Sequence, residues 1–159
     1  MKTCLIVMDT SYLDELYAVP EKSSKAVNTE ARKRFALAVR QKARFFVPLP
    51  CLFELANHIA HISDGNRRKN LADSLVKTIE QCVSNCEPWI ITPYDMIEAL
   101  PKLCRAFADE YVAQGIGLTD TYIIQEARRL KRIYNKPPYR VHIWTKDHAL
   151  KACEPDLEL

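Results

Sequence analysis

Four carboxylates in this chain stand where chemistry is usually done: Asp9, Glu54, Asp120 and Asp147. Asp9 ends the apolar run Cys4-Leu5-Ile6-Val7-Met8, and Asp147 follows Val141-His142-Ile143-Trp144. Glu54 falls in the first turns of a helix, and Asp120 opens another. Acids gathered into one crevice repel each other, and a divalent cation is the usual remedy. Hard oxygen donors without a thiolate suit Mg2+ or Mn2+. A pair of such ions, roughly 3.5–4 Å apart, can activate water and stabilise the leaving oxygen of a phosphodiester. The chemistry expected of these residues is therefore metal-dependent hydrolysis of nucleic acid, with no histidine or serine nucleophile.

Whether the four meet depends on the elements that carry them. The run before Asp9 is short, uncharged and rich in β-branched residues, as in a strand covered on both faces. Arg44-Phe45-Phe46-Val47 reads as a second strand closed by prolines, Trp89 to Pro93 as a third and Val141 to Trp144 as a fourth. Helical patterns separate them. Tyr12–Tyr17 is short, and Lys25 to about Lys42 is long and basic. A helix opened by Pro50 ends at Asp64-Gly65-Asn66, and Arg67–Val83 repeats Leu71, Leu75, Ile79 and Val83 every fourth residue. Asp95–Gln114 is expected to kink or split at Pro101, and Asp120–Asn135 is strongly periodic. A last short helix starts at Asp147.

Strands alternating with helices predict one domain over residues 1–159, an α/β/α sandwich in three layers around a parallel sheet of four or five strands. Right-handed crossovers then carry every strand's C-terminus to one edge. In such sheets that edge is where ligands bind, and it is the edge the acids mark.

Each acid also has a plainer reading. A strand-end Asp such as Asp9 is commonly a helix cap, and Thr119 competes with Asp120 for the cap of its helix. Asp120 shares the inward stripe of its helix with Ile124 and Ala127, so its charge needs a partner. If the acids repel, Asp9→Asn should stabilise the metal-free protein; if Asp9 only caps, the same change should cost stability. A different constellation, Glu54, His58 and His61 with Cys82 and Cys86, offers ligands for a structural zinc. Helical surface histidines and buried thiols are its simpler explanation.

Composition sets the class. A chain of 159 residues with 48% hydrophobic and 27% charged residues has the size and balance of one water-soluble domain. Three glycines in all exclude a glycine-rich dinucleotide loop. Six cysteines without a secretory leader predict reduced thiols in the cytoplasm, and no run is long enough to span a membrane. A net charge of +3 does not itself demand a polyanion. Local clusters do suggest phosphate contacts, notably Arg32, Lys33 and Arg34 and a second set around Arg128. Tyr12 and Tyr122, close in sequence to acids, are candidates for stacking on an unpaired base.

The ordered set Asp9-Thr10-Ser11, Glu54, Leu118-Thr119-Asp120 and Thr145-Lys146-Asp147 resembles the PIN-domain ribonucleases. The resemblance implies an endoribonuclease dependent on Mg2+ or Mn2+ that cuts single-stranded or looped RNA. Asp9, Glu54, Asp120 and Asp147 would be its catalytic, metal-holding acids, with Ser11 and Thr145 supporting them by hydrogen bonds. Many small members are VapC-like toxins silenced by an antitoxin, and a homodimer is the state the resemblance favours. This chain is longer than the compact toxins and ends soon after Asp147. The alternative in a different class is a PIN-like scaffold that binds RNA or a protein without cutting.

Overall fold

A computed structural model describes residues 3–92 and 96–157, so Pro93 and Asp95, placed above in a strand and a helix, lie outside the described residues. Four strands form one sheet in the order β3-β2-β1-β4. They are β1 (Thr3–Met8), β2 (Arg44–Pro48), β3 (Ile90–Thr92) and β4 (Tyr139–Trp144). All pairs are parallel, with Val7 opposite Phe46 and Ile143. Helices α1 (Thr10–Tyr17), α2 (Lys25–Arg40), α3 (Leu49–Ala60), α4 (Gly65–Asn85), α5 (Met96–Ala106), α6 (Leu118–Ile133) and α7 (His148–Lys151) complete the three-layer α/β/α sandwich. Helix α6 packs on β1, β2 and β4, while α1 packs on α2 and α3, and α3 on α4.

The central position of β1 explains its composition. Leu5, Val7 and Met8 are fully buried, because strands flank both edges and helices cover both faces. Burial of each such side chain favours folding by roughly 1.5–3 kcal/mol. Since all strands run the same way, Met8, Pro48, Thr92 and Trp144 end at one edge of the sheet.

Three local expectations are corrected. The break between α3 and α4 is present but falls at 61–64, ahead of Gly65 and Asn66: Asp64 caps α4 by accepting from Arg67 N, so both lie in the first turn. Val83 is 75% exposed and Cys82 is buried in its stead. A strict four-residue repeat drifts round a helix of about 3.6 residues per turn, and after three repeats it has left the buried stripe. Helix α5 is not split at Pro101 but continues through it. The irregularity comes later, as a π-helical turn over Phe107–Tyr111 and a 3-10 turn over Val112–Gln114.

The outer edge of β4 is closed by the segment after α7. Val141 N–H donates to Asp156 Oδ2 (2.8 Å) and Val141 O accepts from Asp156 N (3.3 Å). Ile143 N–H donates to Glu154 Oε2 (3.0 Å), and Ile143 O accepts from Lys151 Nζ (3.0 Å). The four outward backbone groups of these two residues thus find partners without a fifth strand; among the described residues the sheet has four. Burial alone would raise the Asp156 carboxyl; the Lys131 ammonium and the Val141 N–H outweigh it and hold the group below the usual carboxylate range.

Candidate active site, an acidic crevice at the sheet edge

Asp9 leaves β1 in an extended conformation, its N–H still bonded to Trp144 O at 3.0 Å. It occupies the N-cap position of α1, yet its side chain makes no capping hydrogen bond. Its carboxylate turns instead to two hydroxyls. Oδ2 accepts from Ser11 Oγ (2.6 Å) and from Thr145 Oγ1 (2.8 Å). Each hydroxyl in turn accepts a backbone N–H, Ser11 Oγ from Lys146 (3.0 Å) and Thr145 Oγ1 from Asp147 (2.9 Å). A hydroxyl has one proton to give, so these N–H groups direct both protons onto Asp9. The result ties the β4–α7 loop to the end of β1 and fixes how the carboxylate is turned.

The other acids come from three further segments. Glu54 is exposed on α3, and its Oε2 accepts from the buried Thr10 hydroxyl at 2.7 Å, one residue beyond Asp9. Asp120 is half-buried in the first turn of α6 and reaches back to Gly117 N (3.3 Å). That contact, and not Thr119, satisfies the start of the helix. Burial pushes the Asp120 carboxyl up to about 6, and the charge of Asp9 adds to it; the Gly117 N–H opposes, while Asp147 and Glu54 raise it further. Asp147 is exposed and caps α7, its Oδ1 accepting from Leu150 N at 3.0 Å. The plain capping role therefore holds for Asp147 and fails for Asp9. Under the crevice lies Cys51, whose thiol burial pushes out of the titrating range, with the Asp9 charge adding to the effect.

The donor chemistry is all oxygen, which suits Mg2+ or Mn2+. The spacing does not close on an ion unaided: among the described residues no three His, Cys, Asp or Glu side chains are grouped so as to hold a metal. Mg2+ characteristically takes only one or two protein carboxylates and completes its shell with water and substrate phosphate. Asp9 and Asp120 are the side chains that would supply those carboxylates. The zinc alternative is not supported. His58 Nδ1 lies 3.0 Å from both oxygens of Asp14, Cys82 is buried, and Cys86 is exposed at the left-handed end of α4.

Contacts that link distant positions were not foreseen. Lys146 Nζ binds the buried Glu15 Oε1 (2.7 Å) and Lys22 O (2.9 Å), clamping the loop that carries Thr145 and Asp147. The only sequence hint was two adjacent acids, Asp14 and Glu15, in a short helix whose inner face is apolar. Tyr12 and Tyr122 are both core residues, not stacking platforms; the Tyr12 hydroxyl donates to Ala31 O (3.0 Å). In the basic helix α2, Arg34 lies over the Trp144 ring at 4.3 Å and Arg32 donates to Leu16 O (2.8 Å). Lys33 is exposed. Arg128 stands 3.7 Å from Glu110.

No protein-family model matches the chain, and no curated protein is significantly similar to it. Among the described residues, no helix is long and apolar enough to cross a membrane.

Proposed function

We propose that this chain is a Mg2+- or Mn2+-dependent endoribonuclease acting on single-stranded or looped RNA. The supporting observation is that β1, α3, α6 and the β4–α7 loop each bring a carboxylate toward one edge of the sheet. There Asp9 is held by Ser11 and Thr145, and burial and the charges of Asp9, Asp147 and Glu54 all raise the Asp120 carboxyl. Oxygen donors graded from the buried, firmly turned Asp9 to the exposed Glu54 and Asp147 suit phosphodiester hydrolysis. A bound cation supplies neutralisation of the phosphodiester charge and a more acidic water. Asp9, its carboxylate turned by Ser11 and Thr145, would hold that cation. Asp120, whose carboxyl is raised by burial and by the Asp9 charge in the metal-free protein, would join Asp9 in holding that cation and be kept ionised by it. Thr10 orients Glu54 at the rim.

A second reading, a binding scaffold that does not cut, draws on the absence of a ready three-ligand group among the described residues. Incubating the protein with a mixed RNA pool, with Mn2+ or with chelator, separates the two. The enzyme reading expects cleavage that chelator stops and that Asp9→Asn abolishes. RNA retained but uncut at every Mn2+ concentration assigns the chain to the scaffold class.

A further inference from the structure

A groove of about 870 Å3 runs along the outward side of α6, between α5 and residues 153–155. Lys102, Arg128, Arg129, Lys131 and Arg132 line it, against the acids Glu126 and Glu154. The acids are occupied. Glu126 holds Arg129 through two contacts of 2.7 Å, and Glu154 is bound by Lys151 and Ile143 N. Lys131 is neutralised by Asp156. Lys102 and Arg132 have no acidic partner among the described residues, and the acidic partner of Arg128 is the exposed Glu110 at 3.7 Å, its guanidinium also lying 5.9 Å from the Tyr111 ring centre.

Three cations are thus left with little or no neutralisation. Arg128 and Arg132 are one turn apart on α6, and Lys102 faces them from α5. Along α6, Arg128 stands roughly 12 Å and Arg132 roughly 18 Å from Asp120, so the row lies along the same helix, away from the acids. Of the candidate phosphate contacts on α2, Arg32 is committed to a carbonyl and Arg34 lies closely over an indole.

We infer that this groove holds the phosphate backbone of the RNA strand whose scissile bond lies in the crevice, with Lys102, Arg128 and Arg132 as its phosphate contacts. The inference rests on the nuclease reading for the identity of the strand. It does not rest on cleavage. Two cations one turn apart on α6 and a third facing them from α5, of which only Arg128 has an acidic partner among the described residues, suit a polyanion bound by release of its counterions.

The test is fluorescence anisotropy of a labelled single-stranded RNA with full-length protein in chelator, titrated over a range of salt. Each of Lys102→Ala, Arg128→Ala and Arg132→Ala is expected to lower the log–log salt slope by about 0.7, and the triple variant by about 2. Lys33→Ala on α2 should leave the slope unchanged. Unmoved slopes in all three single variants, or a loss at Lys33 alone, overturn the assignment. So does a groove whose triple variant keeps RNA but loses a polyglutamate peptide, which marks an acidic protein partner. Thermal melts confirm that the variants, all at exposed positions, are folded. The same samples with Mn2+ keep the two readings apart: reduced slopes without cleavage sink only the nuclease, and cleavage with unmoved slopes sinks only the groove.

Discussion

Asp120→Asn is expected to gain stability and lose activity together. The carboxyl is raised from 3.8 to about 6 in the folded protein. Between those values the folded state binds more protons than the unfolded one, so stability falls as pH rises through the window and stays lower above it. The amide cannot ionise and still accepts from Gly117 N. At pH 7, without metal, the variant should therefore be more stable by on the order of 1–2 kcal/mol, a figure reduced for partial exposure. Below about pH 4 the advantage should vanish. Mn2+-dependent cleavage should drop by about 100-fold or more. Urea melts at pH 4 and pH 7 in chelator, beside a cleavage assay, check both. A variant less stable at pH 7 and equally active leaves Asp120 as an ordinary helix-start residue.

Lys146→Met carries the largest expected loss of stability. Glu15 is buried in α1, and its Oε2 already lacks a partner. Without Lys146, Oε1 loses its ammonium as well, and an uncompensated buried charge typically costs about 3–5 kcal/mol. Because Lys146 itself is 40% exposed, about 2–3 kcal/mol is the expected value. Adding Glu15→Gln should restore a good part of it, since the charge then goes with its partner. A Lys146→Met protein within about 0.5 kcal/mol of the parent, by denaturant melts, would show that water reaches Glu15 freely.

The contrast between these residues shows what a linear sequence carries. The strand ending in Asp9 was legible because burial on both faces leaves a local mark, an uncharged β-branched run. The parallel order of the strands followed from helices between them. Position at the sheet edge was therefore readable for Asp9 and Asp147, but their different uses were not. Asp147 caps its helix and Asp9 does not, and that depends on Thr145, 136 positions away in the chain. Lys146 and Glu15 are separated by 131 positions, with nothing local in either to announce the pair. The basic stretch of α2 shows the opposite failure: charge is visible in sequence, whereas the Trp144 ring and the Leu16 carbonyl that occupy Arg34 and Arg32 are not. The four-residue repeat of α4 misled for geometric reasons, since only a 3.6-residue pattern stays on one face.

Side chains standing where a neighbouring strand would pair have a consequence for how copies of this molecule meet. An open strand edge is a template for another chain, and proteins protect such edges to avoid sticking to themselves. Here β3, at one end of the sheet, spans three of the described residues, and β4, at the other, has the outward groups of Val141 and Ile143 taken by Glu154, Asp156 and Lys151. Strand-to-strand association at neutral pH is closed at β4, and any dimer must use another surface. The seal at Val141 depends on an ionised Asp156, so it weakens as pH falls through the lowered carboxyl value of the folded state. Light scattering should then show particles growing in acid, and Asp156→Asn should begin to do so at a higher pH than the parent. Equal onset for both proteins would mean that the carboxylate does not guard the edge.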